Sequence, residues 1–150
     1  MKLDLIKEKI IAGLKDSYVQ EADGDLFFLF GADNRFPFAT VVTSDNEFDH
    51  ISLLSREGVF RLNAGIGKDS FKALFGHLPS RPGIGGFVDS GPDFAALDTL
   101  MPHPMYGNMY WISVLNPTNA TFEQFWPYLE EAYSLAVQKD RNISKAGTGE

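Results

Sequence analysis

One stretch of the sequence, LFFLFGADNRFPFATVVT at residues 26–43, decides the fold class. Its first part, residues 26–30, is apolar at every position, so both faces of the predicted strand are hydrophobic, as in the middle of a sheet. Its second part, residues 36–43, is rich in aromatic and β-branched residues, which favour strands. Only the short segment 31–35 separates the two parts. We therefore predict two strands that pair as a hairpin.

Three further segments are predicted to be strands: residues 48–54, 58–64 and 109–115. The clearest is 58–64, whose pattern has the period of two that is typical of strands. The alternation places Arg61 and Asn63 on one face and three apolar residues on the other. The sheet is therefore predicted to have five strands, with the apolar face of this strand in the core.

Two long helices and a short one are predicted from apolar residues at spacings of three and four. The long helices cover residues 3–15 and 121–138, and the short one begins at residue 69 or 70. Thr121 begins a capping-box pattern at the start of the last helix. Pro127 lies too far along to be its first residue, so it predicts a kink or a separate first turn.

These elements predict one α+β domain over residues 1–138, followed by a polar, flexible tail at residues 139–150. In this two-layer fold the five-stranded sheet is mainly antiparallel, and the N- and C-terminal helices flank it. The Pro- and Gly-rich segment 79–90 is predicted to be a loop. Because two layers leave one face of the sheet uncovered, that face is a candidate binding surface.

The composition excludes several classes of protein. The chain has no cysteine, which excludes disulfides, thiolate metal sites and cysteine nucleophiles. Its 20 acidic residues outnumber the 13 basic ones, and the net charge of −7 disfavours nucleic acid as a partner. We expect neither a membrane span nor a signal peptide, because long apolar runs are absent and the N-terminus carries charges throughout. The sequence thus predicts a soluble, cytoplasmic protein.

The three histidines, His50, His77 and His103, limit every acid–base or metal hypothesis. Their separations match no metal-ligand motif, so we predict no metal site and no cofactor. His103 is the candidate catalytic residue, since prolines on both sides restrict its backbone. The favoured alternative is a loop histidine that hydrogen-bonds a backbone carbonyl.

Five residues are predicted to form a binding site: Arg61, Asn63, His103, Tyr106 and Trp111. Arg61 and Asn63 could line a groove, in which the arginine fork would bind a carboxylate or a phosphate. The slightly favoured alternative for this pair is an ordinary solvent-exposed face or an ion pair with one of the many acidic residues. Tyr106 and Trp111 are included because their aromatic rings have no obvious place in the predicted core.

Several motifs resemble a bacterial family known only as a domain of unknown function. They lie at residues 58–63, 100–107, 111–117 and 120–122. The resemblance covers residues 43–137 and implies no established activity. More distantly, the end of the chain is similar to YjbR-like (MmcQ-type) proteins, because a strand containing tryptophan precedes a helix with the sequence EEAY. That similarity implies a two-layer fold with a helix-flanked antiparallel sheet, and it implies DNA binding, which the acidic charge disfavours.

The leading hypothesis is a module that binds a small ligand or a protein, including a second copy of this chain as a homodimer. The uncovered sheet face, the loop at 79–90 and the region of His103 to Trp111 would form the pocket or the dimer surface. The alternative is a small-molecule enzyme in which His103 is the acid–base and the other candidate residues position an anionic substrate. This alternative requires the candidate side chains to converge on one cleft. The sequence favours a binding protein over an enzyme.

Overall fold

The computed structural model describes residues 1–33, 35–78 and 92–147, with side chains described as far as residue 144. Within these ranges the chain forms six strands: β1 (Tyr18–Ala22), β2 (Asp25–Leu29), β3 (Ala39–Val42), β4 (Arg61–Gly65), β5 (Met101–Pro102) and β6 (Trp111–Leu115). It also forms three α-helices: α1 (Leu3–Gly13), α2 (Lys68–Phe75) and α3 (Asn119–Gly147). The loop predicted at residues 79–90 lies outside the described residues.

All six strands belong to one antiparallel sheet, with the order β1-β2-β3-β4-β6-β5. The predicted α+β class and the β2–β3 hairpin are therefore confirmed, but the sheet has six strands rather than five. Strand β4 lies in the middle, where Asn63 is opposite Thr40 of β3 and Ser113 of β6. This register brings polar side chains from three strands onto the same face.

Strand β1 was not predicted. Only its last residues, 21 and 22, fall in a segment with a prediction, the acidic turn, because the side chains of the strand are half-buried or exposed and show no apolar alternation. Asp23 and Gly24 both have positive φ angles, 52° and 86°, and they connect β1 to β2 directly. Such a two-residue connection fits the twist of a hairpin. The acidic turn therefore joins two paired strands at the edge of the sheet.

The predicted strand at residues 48–54 is wrong. This segment consists of turns and bends, and its backbone is bonded by side chains of the preceding residues. The Asp45 carboxylate accepts the Leu54 N–H at 2.8 Å, and the Asn46 side-chain oxygen accepts the Asp49 N–H at 2.9 Å. Asp and Asn compete with sheet hydrogen bonds in this way, so the segment forms a compact loop between β3 and β4.

Helix α3 is longer than predicted at both ends. It begins at Asn119, and Thr118 caps it by accepting the Thr121 N–H at 3.3 Å. The cap is therefore three residues earlier than the predicted one. Pro127 lies inside the helix rather than at its start, and the helix continues to Gly147 through residues that were predicted to be a flexible tail. The division into one domain and a tail stays a prediction.

Helices α1 and α3 cover one face of the sheet. The main core contains apolar side chains from both helices and from the sheet: Ile6, Ile10, Phe28, Val41, Leu62, Ala64, Ile112, Val114, Phe122, Phe125 and Leu129. On the opposite face, a smaller apolar cluster covers part of the sheet: Leu54, Val59, Phe94, Met101 and Leu115. The second face is therefore partly covered by loops, whereas the two-layer prediction left it open. In the described part of the chain, no helix combines the length and the apolar character needed to cross a membrane.

Candidate functional site

A buried polar cluster lies on the second face of the sheet, with Arg61 at its centre. The Arg61 side chain is fully buried and forms a bidentate pair with Asp49, with distances of 2.9 Å from Nη1 to Oδ1 and 2.5 Å from Nη2 to Oδ2. Its Nε donates to the Asn63 side-chain oxygen at 2.8 Å, and Nη1 also donates to Ser52 Oγ at 3.0 Å. The guanidinium thus ties the β3–β4 loop to the centre of the sheet.

These contacts determine what Arg61 can bind. Four of its five N–H groups donate to Asp49, Ser52 and Asn63, and the Asp49 carboxylate balances its charge. The ion pair weighed as an alternative from the sequence is therefore present. A carboxylate or phosphate ligand would have to displace Asp49 to meet the arginine fork, so the site offers no open anion-binding arginine.

Asn63 joins three strands through its side-chain amide. Its oxygen accepts both Arg61 Nε and Ser113 Oγ, the latter at 2.7 Å, and its nitrogen donates to Thr40 Oγ1 at 3.0 Å. Asn63 and Ser113 are fully buried. Because a buried amide without partners is costly, this arrangement stabilises the register of β3, β4 and β6. The structure thus gives Asn63 a role in holding Arg61 in place.

His103 lies beside this cluster and is 3% exposed. Its Nδ1 accepts the backbone N–H groups of Met105 at 3.0 Å and Tyr106 at 3.1 Å. Since Nδ1 is an acceptor, the neutral ring carries its proton on Nε2, which faces Arg61 Nη2 at 3.4 Å. Burial, and secondly the nearby Arg61 charge, hold the pKa of His103 well below its ordinary value of 6.5. Near neutral pH the ring is therefore an uncharged hydrogen-bond donor.

The aromatic candidates surround His103. The Tyr106 ring lies 4.8 Å from the imidazole with an interplanar angle of 34°, and half of Tyr106 is exposed. The Trp111 indole meets the imidazole edge-on at 6.3 Å. The structure therefore brings Asn63, Arg61, His103, Tyr106 and Trp111 into one continuous set of contacts. The enzyme hypothesis required more, namely that all five side chains line one cleft, and Arg61, Asn63 and His103 are instead buried. Whether they form a binding or catalytic site stays a prediction.

Trp111 also borders a cleft of about 300 Å³, which we call the Trp111 cleft. It lies between α3 and the end of the sheet where β4 meets β6. Large apolar side chains around it are exposed to solvent, namely Phe36 at 60%, Met109 at 61%, Leu135 at 48% and Ile143 at 46%. Their exposure is unusual because they are contiguous rather than scattered.

The charged residues of the Trp111 cleft are mostly engaged. Asp33 forms an exposed pair with Arg35 at 3.1 Å, and hydrogen bonds from Arg35 lower the pKa of that carboxyl. The Lys139 ammonium lies 3.9 Å from the centre of the Phe36 ring, in a cation–π contact. Asp140 is half-buried and makes no hydrogen bond within the part of the chain that the structure describes. The cleft is therefore mainly apolar, with one carboxylate available as an acceptor.

Sequence reasoning missed two groups of residues. Asp49, Ser52, Thr40 and Ser113 complete the buried cluster, and Phe36, Met109, Leu135 and Ile143 surround the cleft. For Ser113, a signal was present in the sequence, because it lies in a predicted strand between apolar neighbours. His50 and His77 are exposed and lie outside both groups. No set of three His, Asp or Glu side chains within residues 1–33, 35–78 and 92–144 is arranged to hold a metal ion.

A model of DUF6194, a family of unknown function, matches residues 1–145. The chain belongs to this family. Membership agrees with the sequence-based resemblance to a domain of unknown function. The match to DUF6194 extends beyond residues 43–137 to nearly the whole chain. Searches of curated proteins and of solved structures returned no match. The similarity of this DUF6194 protein to YjbR-like proteins stays a prediction.

Proposed function

We propose that this protein is a binding module for a small, uncharged and mainly apolar molecule, which occupies the Trp111 cleft. The observation that carries the proposal is the ring of exposed apolar side chains around one concave site, with Trp111 in its wall. Contiguous apolar surface in a concavity is typical of ligand-binding sites and is otherwise a liability for solubility.

The size and charge of the cleft define the class of ligand. A volume of about 300 Å³ is at the lower end of the range for small-molecule sites, so it suits a molecule of up to three rings. Asp33 and Lys139 already have partners, and removing a charged ligand from water without a new partner is costly. Asp140 can accept one hydrogen bond from a hydroxyl or an aromatic amine, both of which are uncharged near neutral pH. These features favour a neutral ligand with a single donor.

The geometry gives less support to an enzyme that acts on an anionic substrate. Arg61 is bound by Asp49, and the Nδ1 lone pair of His103 is occupied by two backbone N–H groups. A general base needs a free lone pair at the substrate, which this ring does not present. His103 as an acid–base therefore stays the second hypothesis, and binding stays the first.

The proposal is tested with fluorescence from Trp111. Substituting Trp126→Phe leaves Trp111 as the sole tryptophan. In this background we titrate the neutral probe N-phenyl-1-naphthylamine and measure energy transfer from the indole. We expect saturable transfer that is lost in Leu135→Glu, because the added charge lies in the wall of the cleft. Leu5→Glu is the matched control, since Leu5 is similarly exposed, at 41%, but lies on α1 outside the cleft.

Two results of the binding titration would contradict the proposal. One is the absence of saturable transfer in the parent protein. The other is equal binding by the Leu135→Glu and Leu5→Glu variants, which would place the probe elsewhere. Sedimentation velocity of the same samples tests the homodimer hypothesis. A parent dimer that becomes a monomer only in Leu135→Glu would identify the cleft as a subunit interface instead of a ligand site.

A further inference from the structure

Two hydrogen-bond donors face each other inside the protein. His103 Nδ1 is an acceptor, so its Nε2 carries the proton, and this N–H faces Arg61 Nη2 at 3.4 Å. Two donors cannot satisfy each other. Throughout the described residues, no oxygen accepts a hydrogen bond from His103 Nε2. Both side chains are more than nine-tenths buried, so a missing acceptor at this point is costly.

The spacing of the two donors suits one shared acceptor. Nitrogens 3.4 Å apart can both reach a single oxygen at an ordinary donor–acceptor distance of about 2.9 Å. Neither donor is free to move, because Asp49 and Asn63 hold the guanidinium and two backbone N–H groups hold the imidazole. Fixed donors aimed at one oxygen are the arrangement that stabilises a polarised carbonyl in other proteins.

The local charges select the class of acceptor. Asp49 neutralises Arg61, and the imidazole is uncharged because its Nδ1 accepts two backbone N–H groups, so the cluster has no net charge to offer an anion. An added carboxylate or phosphate would be a buried charge without a counter-charge, which is strongly unfavourable. The oxygen of a neutral carbonyl group, which has a large dipole, can accept hydrogen bonds from both donors without this cost.

We propose that His103 Nε2 and Arg61 Nη2 form a binding site for the carbonyl oxygen of a neutral ligand, such as an amide or a ketone. Tyr106 packs against the imidazole and is half exposed, so its ring is the side chain that a ligand would have to displace to enter the site. This inference is independent of the Trp111 cleft. Either site can bind its ligand when the other does not.

The first test uses the unmodified protein with ¹⁵N-labelled histidine. The ring nitrogen shifts should show His103 in the Nε2–H form, with its Nε2–H proton protected from exchange. Addition of N-methylacetamide should shift that proton saturably and leave the signals of the exposed His50 and His77 unchanged. Sodium acetate at the same concentration should give no saturable shift. An Nδ1–H form, the absence of any saturable shift because water alone fills the site, or tighter binding of acetate than of the amide would overturn the proposal.

A pair of variants tests the donor itself. His103→Phe keeps a ring but removes the donor, and we expect it to weaken N-methylacetamide binding by about tenfold or more. His103→Gln retains an N–H group near the position of Nε2 and should recover part of the affinity. Unchanged affinity in a folded His103→Phe variant would overturn the proposal. If this variant does not fold, the tautomer and titration of the unmodified protein still decide the matter.

Discussion

The Arg61–Asp49 pair is predicted to be a main determinant of stability, and Asp49→Asn tests this. The substitution keeps the shape of the side chain but leaves the Arg61 charge, which is fully buried, without a counter-charge. Removal of one partner of a buried ion pair costs about 3–5 kcal/mol. Because the Asp49 side chain is 13% exposed, some solvent can reach the uncompensated charge, and we expect the lower end, about 3 kcal/mol.

This loss is a large fraction of the free energy of unfolding of a domain. A domain typically has a free energy of unfolding of about 5–15 kcal/mol, and at this chain length 1 kcal/mol corresponds to about 2–4 °C in the midpoint of thermal unfolding. We therefore expect the midpoint to fall by roughly 6–12 °C. Urea unfolding followed by circular dichroism measures the free energy directly, and it should show a lower midpoint concentration at an unchanged slope.

The control is Asp33→Asn, which breaks the exposed pair with Arg35 and should leave the unfolding midpoint unchanged, because exposed pairs contribute little. A second comparison replaces both partners, as Asp49→Leu with Arg61→Met. Apolar replacement of a whole buried pair is often tolerated, so this double variant should be more stable than Asp49→Asn. The reasoning is refuted if Asp49→Asn costs no more than the control, or if the double variant is the least stable of the three.

Three other predictions concern two single contacts and the effect of pH. Gly65→Ala would place a Cβ 2.8 Å from the Trp111 indole, so we expect a loss of about 1–3 kcal/mol and a shifted Trp111 emission; unchanged emission would contradict this. Glu131→Ala removes the two hydrogen bonds that the carboxylate accepts at the start of α2, and we expect a loss of about 1–2 kcal/mol in urea unfolding. The exposed neighbour Glu130→Ala should have no effect. The free energy of unfolding should decrease as the pH falls below 6.5, because His103 takes up a proton in the unfolded chain but not in the folded protein. The contribution of one such group has a slope of at most about 1.4 kcal/mol per pH unit. The His103→Phe variant should lack this part of the pH dependence.

The strands were predictable where burial is regular along the chain. Strand β4 alternates between the core and the second face, so the period of two identified both the strand and the side on which Arg61 and Asn63 lie. Strand β1 escaped detection because an edge strand with exposed side chains leaves no such pattern. The strand predicted at residues 48–54 was wrong for the opposite reason. Their apolar residues suggest a strand, but the side chains of Asp45 and Asn46 bond the local backbone and favour turns.

The sequence indicated that Arg61 and Asn63 lie side by side and that His103 and Trp111 are close in the chain, but it did not indicate the residues that bind them. Arg61 and Asn63 share a strand face, and β5 pairs with β6 so that the chain after Pro102 lies beside Trp111. The partner of Arg61 could not be identified, because many acidic residues precede it and no periodicity distinguishes Asp49, which lies in an irregular loop. Hydrogen-bond geometry selects one carboxylate only when the loop is folded against the sheet.

The contact between Arg61 and Asp49 changes the chemistry of the site. An arginine on an open strand face would bind carboxylates or phosphates, which is why the sequence suggested an anionic ligand. With Asp49 bound to it, Arg61 becomes an uncharged unit together with its partner, and its remaining N–H group points toward His103. The imidazole is likewise an uncharged donor. The buried cluster therefore disfavours charged ligands, and because the lining of the Trp111 cleft is mainly apolar, neutral molecules are the ones to screen first.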